Sequence, residues 1–377
     1  MAVSSSIRPG ARLAGTLALA AAAGATAQAL RVPLPWMIGP LLVVAAGSVA
    51  GLPLASSDRL RNAGQWIIGT ALGLYFTPAV LGTLVHLAPF VALGVAWALA
   101  LGYGFYRFLW WTQARATGRV TSADAGAQAV SGAGAPAALQ RASAFFAAAI
   151  GGASEMALLA ERAGAQVERV AAAHSTRVLL VVVTVPVALQ WLDVHGADPA
   201  TTALREVRPA GLACLLAATA AGGALMRRTG LPNPWVLGAL AASALITGLE
   251  WPSSALPQVL PNAAQLVIAV ALGTRFTPAF VRAAPQWVGA VAVGTLGMLA
   301  LSAVFGGLLS LAMGLHPATL VLATAPGGIA EVAITASVLG LGVPVVTAFQ
   351  VMRYVSVLLL TGPLYRWEMA RLARANG

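Results

Sequence analysis

The sequence predicts an all-α, polytopic integral membrane protein made of two tandem structural repeats with broken membrane helices. Three observations carry that prediction. First, 59% of the 377 residues are hydrophobic and 9% are charged, where soluble domains carry about a quarter charged residues. Second, Val32–Ser57, Asn62–Tyr106 and Ala283–Ala330 hold no Asp, Glu, Lys or Arg. Each exceeds the roughly 20 apolar residues that cross a bilayer. Third, the chain repeats its landmarks in order. Pro33-Leu34-Pro35-Trp36 through Gly39 returns as Pro232-Asn233-Pro234-Trp235 through Gly238. Asn62, Gln65 and Phe76-Thr77-Pro78 return as Asn262, Gln265 and Phe276-Thr277-Pro278. Gly151-Gly152 with Glu155 returns as Gly327-Gly328 with Glu331. A duplicated, nearly uncharged chain is a common plan of secondary transporters, whose site lies between the repeats.

The repeats are expected at residues 1–200 and 201–377, joined by a polar link at Asp193–Arg208. Six apolar segments are expected in each. The first half offers Leu13–Leu30, Trp36–Gly51, Asn62–Phe76, Leu87–Tyr106, Ala142–Ala160 and His174–Leu192. The second offers Pro209–Met226, Trp235–Leu249, Asn262–Phe276, Trp287–Leu311, Thr319–Leu339 and Val345–Leu364. Arg8, Arg12 and Ala27-Gln28-Ala29 give the first segment the look of a signal peptide. Its counterpart in the second half makes it a first membrane helix instead. Gln113–Gln140 has no counterpart and reads as a flexible, cytoplasmic polar loop. Arginine placement leaves parallel and inverted repeats equally open.

The net charge of +11 comes from dispersed arginines, many at segment ends. That is the pattern of membrane anchoring, and no direct nucleic-acid binding is expected. All 22 basic residues are Arg, which is read as base bias. Cys214 excludes an intrachain disulfide and reads as a small buried hydrophobe. Four scattered histidines offer no metal site, and no phosphate loop with a lysine is present. The chain is therefore expected to be no enzyme and to need no cofactor.

The chemistry concentrates on acidic residues inside apolar segments, where ionisable groups are costly. Arg177 follows Glu155 by 22 residues, and Arg353 follows Glu331 by 22. Glu331 and Arg353 each lie 11 residues from Gly342, in the stop-and-restart signal Gly340–Pro344. At about 1.5 Å per residue both stand roughly 16 Å from that turn, near the bilayer midplane on adjacent helices. The first half repeats this spacing about Gln166. Each repeat is thus expected to pair a carboxylate with a guanidinium. Such a pair can be a structural staple, or the Glu can titrate while the Arg holds an anion.

Ala325-Pro326-Gly327-Gly328 is expected to break a helix, because Pro lacks an N–H and Gly-Gly is loose. The helix restarting after it would point its positive end into a cavity, which suits an anion. Ile150 replaces the proline ahead of Gly151-Gly152, so that break is expected to be softer. Gln65 and Gln265 either line the site or join helices. Gln350 and His174 share one repeat position, three residues before the arginines, with the same two readings. Asn62 and Asn262 read as helix N-caps, Trp36 and Trp235 as interfacial anchors, and His86, His195 and His316 as solvated loop residues.

With these motifs the chain resembles the AbrB family of bacterial membrane proteins across nearly its whole length. The resemblance rests on P-W-x-x-G, Gly-Gly-x-x-Glu-Met/Val and a downstream Arg, in both halves. It is more distantly similar to bile-acid symporters and sodium/proton antiporters, whose broken helices cross at the midplane. That resemblance implies a broken-helix element at Gly151, Gly152, Glu155 and at Pro326, Gly327, Gly328, Glu331. The family carries the labels ammonia monooxygenase and membrane regulator of gene expression. The first conflicts with the absent metal ligands. The second is an alternative reading, acting indirectly. The leading expectation is an ion-coupled secondary transporter of a small solute, an organic anion among the options, in the bacterial inner membrane. Its partners would be the lipid bilayer, the solute and H⁺ or Na⁺, with a homo-oligomer left open.

Overall fold

The structure, a computed structural model, describes residues 9–123, 134–196, 206–231, 233–251, 254–278 and 285–376. Among them are fifteen helices and no strand. The first half comprises α1 (Pro9–Ala29), α2 (Pro35–Val49), α3 (Asp58–Gly73), α4 (Pro78–His86), α5 (Ala88–Ala123), α6 (Gly134–Ala148), α7 (Ala153–Arg162) and α8 (Val167–Trp191). The second comprises α9 (Pro209–Arg228), α10 (Pro234–Gly248), α11 (Val259–Gly273), α12 (Pro285–Met313), α13 (Pro317–Thr324), α14 (Ile329–Val338) and α15 (Val343–Asn376). Five described helices are long and apolar enough to cross a membrane, and α3 with α4 forms a further candidate bent by 86°. The chain is a multi-pass membrane protein. α1 fills the first expected segment but is not among those five.

The duplicated motifs build duplicated local structure. Leu34 and Asn233 both adopt a left-handed conformation, with φ of 48° and 50°, ahead of a proline at the first helical position. The chain thereby folds back sharply, and α2 packs on α1 as α10 packs on α9. Small residues set the distance. A Cβ on Gly39 would lie 2.5 Å from the Ala23 carbonyl oxygen, and one on Gly222 2.5 Å from the Gly238 oxygen. The Trp36 ring covers Gly24 as the Trp235 ring covers Gly223. These tryptophans therefore pack helix on helix and are more than interfacial anchors.

The halves then exchange partners. α3 packs most extensively on α10, while α11 packs on α2. α3 and α11 meet each other where Gly64 abuts Ala264, two equivalent positions. Such an exchange is what a pseudo-twofold axis between the repeats produces.

Hydrogen bonds fix the direction of that axis. The start of α8 adjoins the turn at residues 163–166, whose Gly164 has φ 68°. Beyond the far end of α8, Gly196 N–H donates to Leu339 O at 2.9 Å, beside the turn whose Gly340 has φ 64°. The 25 residues of α8 span roughly 37 Å. Two equivalent turns therefore lie at opposite ends of one membrane-crossing helix, and the repeats are inverted. Antiparallel α5 and α12 agree. Trp97 stacks on Phe305 at 4.4 Å, and farther along α5 Phe105 meets Gly294, which lies earlier in α12.

Several expectations are corrected. The span Gln113–Gln140 is not simply a loop. α5 continues to Ala123 and α6 begins at Gly134, and only residues 124–133 lie outside the described ones. Asn62 and Asn262 sit inside α3 and α11, whose caps are Ser57 and Gln258. Cys214 is exposed, because α9 is peripheral and turns that face outward. His316 caps α13 by accepting from Ala318 N–H at 3.2 Å.

Candidate functional site

Two helix breaks meet at the centre. α6 stops at Ala148 and α7 restarts at Ala153, while α13 stops at Thr324 and α14 restarts at Ile329. Both breaks span four residues, with or without the proline. The reason lies in what holds each break open. Helix C-terminal carbonyls have no partner within their own helix. Arg353 supplies one, its Nη1 donating to Ala325 O at 2.6 Å and its Nη2 to Gly327 O at 2.5 Å. Arg177 does the same for the other break, donating to Ala149 O at 3.0 Å and Gly151 O at 3.4 Å. Gln350 Nε2 adds bonds to Leu322 O, Ala323 O and Ala325 O at 2.9–3.2 Å. In the first half His174 stands at that position, its Nε2 3.0 Å from Phe146 O and its Nδ1 2.8 Å from the Arg177 guanidinium.

The expected pairing of these arginines with Glu155 and Glu331 does not form. Among the described residues neither glutamate takes part in an ion pair within 4 Å. The carboxylates turn toward their own helix starts instead. Glu155 and Glu331 are each the third residue of the restarted helix, with Gly152 and Gly328 as N-caps. Each carboxylate lies where a side chain on that glycine would stand and accepts a bond from its own backbone N–H. A negative group at a helix N-terminus is favourable. Each break thus has a cation on its carbonyl end and an anion on its amide end. Spacing brought both groups to the same break but not toward each other.

Between the two breaks lies a cavity of about 300 Å³. Glu155, Arg177, Glu331, Arg353, Gly151, Gly152, Pro326, Gly327, Gly328 and Gln65 all line it. Gln265 does not: it faces a separate cavity of about 200 Å³ with Tyr75 and Ser337. Gln350 is fully buried behind the break, spent on carbonyls. The cavity also recruits residues that the sequence reading did not assign to it: Arg61, Asn62, Asn233, Arg275 and Tyr354. Arg275 is the cation within electrostatic range of both glutamates, and Arg61 also reaches Glu155. Asn233 joins the far wall by donating to the Tyr354 hydroxyl at 2.9 Å and accepting from Gln65 Nε2 at 3.2 Å. Four guanidiniums against two carboxylates make the lining cationic when all are ionised.

The two faces of the cavity are unequal. Ala153, Ser154 and Arg275 also line a vestibule of about 1130 Å³, which extends past Gln166 and Glu168 to Trp287. On the opposite side the equivalents Ile329 and Ala330 are buried. There the Tyr75 and Ser337 hydroxyls share a hydrogen bond of 2.8 Å. The cavity therefore communicates with the side of the first turn, at residues 163–166.

Comparison with known proteins agrees with this architecture. Residues 2–115 and 36–368 match the family profile described as "Transition state regulatory protein AbrB". The chain is also similar to a protein of Bacillus subtilis (strain 168) described as "Uncharacterized protein YhjN". The two are 26% identical over 379 residues, covering 93% of this chain and 91% of that relative.

Proposed function

The chain belongs to the AbrB family, and from that premise we propose that it is an ion-coupled secondary transporter of a small solute in the bacterial inner membrane. One observation carries the reading. A single polar cavity sits between the broken helices of two inverted repeats, next to a vestibule on one side and closed off on the other. Inverted repeats can exchange conformations, so the arrangement seen in one half is available to the other. Exchange would seal α7 and free α14, and the cavity would face the other compartment. The carboxylates of Glu155, bonded to the Tyr354 hydroxyl, and of Glu331 are the groups suited to couple this to H⁺ or Na⁺. Both sit on the helices that change exposure, and neither is locked in an ion pair. An effect on gene expression would follow from the solute moved.

The test begins with a metabolite comparison between cells with and without the gene, then flux of the hit into proteoliposomes. Glu331→Gln and Glu155→Gln are expected to insert and purify normally while driven flux is abolished. Wild-type rates in both variants, under either a pH or a sodium gradient, would leave the glutamates with a structural role only.

A further inference from the structure

The duplicated and the unduplicated residues of the cavity divide its labour. Glu, Arg and Gly-Gly occur in both halves and build the breaks. Of the remaining polar lining residues, Asn62, Gln65 and His174 keep polar counterparts in Asn262, Gln265 and Gln350, whereas the others change type between the halves. Tyr354 corresponds to Val178, Asn233 to Leu34, and Arg61 to Pro261, while Arg275 corresponds to Tyr75. A component needed for exchange between inverted states must recur, whereas a component that recognises cargo need occur only once.

The single-copy set has a definite chemistry. Among the described residues Arg275 makes no side-chain hydrogen bond or ion pair, and it lies within electrostatic range of Arg61 as well as of Glu331, Asp58 and Glu155. Arg61 is 3.4 Å from the exposed Asp58, and its Nε is buried with no partner. With four guanidiniums against two carboxylates in the lining, a positive excess remains that an anion joining Arg61 and Arg275 would relieve. Guanidinium forks match a carboxylate in geometry as well as charge. Facing them, Asn233 keeps a second amide N–H, and Tyr354, whose hydroxyl donates to Glu155, keeps a second lone pair; both suit a hydroxyl of the ligand. A cavity of about 300 Å³ admits only a small molecule.

We propose that Arg61 and Arg275 clamp the carboxylate of a small hydroxylated organic acid, whose hydroxyl reaches Asn233 and Tyr354. The assignment rests on the transporter reading for its purpose, but binding can be measured without transport. Arg177 and Arg353, bonded to backbone, take no part in holding the acid.

The experiment is a thermal-shift and calorimetric titration of the purified full chain with lactate, malate, succinate, glycerol, ethanolamine and inorganic phosphate. Lactate or malate is expected to bind at least about tenfold more tightly than glycerol, ethanolamine or phosphate, and malate more tightly than succinate. Arg275→Gln and Arg61→Gln are expected to lose at least about tenfold in that affinity. As a measurement that needs no arginine variant, Ser154→Cys in a Cys214→Ala background should react with a maleimide more slowly when malate is present. Preference for glycerol, ethanolamine or phosphate, or unchanged maleimide labelling under malate, overturns the assignment. Carboxylate binding without flux sinks the transporter reading and spares the site. Flux of a solute that is not an acid does the reverse.

Discussion

At the scale of single residues, the four ionisable groups at the breaks do two different jobs. Arg353 and Arg177 are structural, because each satisfies backbone carbonyls that lipid cannot. Arg353→Met should therefore lower stability by about 1–3 kcal/mol for each carbonyl left bare. A melting curve of the purified protein reads this loss. Arg353→Lys should recover part of it, since one ammonium can reach one carbonyl. Glu331→Gln should leave the melting temperature nearly unchanged, because the amide can still accept at the helix start. An arginine variant that melts normally but fails to transport would reverse this division. The sequence made the meeting of these groups at each break legible through the spacing of 22 residues and the glycine turn. It could not show direction. An arginine side chain is long enough to meet either a carboxylate or a carbonyl, and spacing along one helix does not say which neighbour offers more. Arg61 and Arg275 escaped notice for another reason. Both flank apolar segments, where arginines ordinarily mark the membrane surface. Asn233 looked like the variable position of a proline motif, and only the left-handed turn brings its amide to the cavity.

At the scale of elements, glycine determines how close the helices come. Gly39→Leu and Gly238→Leu insert a side chain against a neighbouring backbone with no room to give. Each is expected to cost about 1–3 kcal/mol, seen as a lower melting temperature. Gly289→Ala and Gly297→Ala, on α12 with no atom nearby, should be neutral or slightly stabilising. Equal melting points for both sets would contradict the packing described. The paired breaks were foreseeable from Gly-Gly alone. Their equal length was not, because the sequence drew attention to Pro326 while the arginine that holds each break open lies on the following long helix. The extension of α5 to Ala123 was also hidden. Its composition, rich in Gly, Ala and Ser, resembles a linker as much as a helix.

At the scale of the whole molecule, the landmark order revealed the duplication but not its orientation. Arginine counts near segment ends pointed both ways, and the contacts of α8 with two equivalent turns resolve the matter. A direct check uses cysteines at the exposed Glu161 and Val338, beside the two turns, in a Cys214→Ala background, in intact cells with a membrane-impermeant maleimide. Only one of the two positions should label from outside, and the other should label after permeabilisation. Labelling of both from one side would mean parallel repeats. The inequality between the vestibule and the closed side also belongs to this scale, since no local sequence distinguishes which conformation of an exchanging pair is occupied.

The backbone attachments of Arg177 and Arg353 bear on electrical measurements. Each guanidinium is fastened to its own repeat, so it moves as one unit with the kinked span and its straight neighbour for as long as they remain joined. Over a complete cycle that unit returns to its starting depth, so neither arginine adds net charge through the voltage drop across the bilayer. The charge moved per turnover then equals that of the passenger plus that of the coupling ions, so charge counting on a solid-supported membrane, set beside the flux of a passenger of known charge, gives the number of ions.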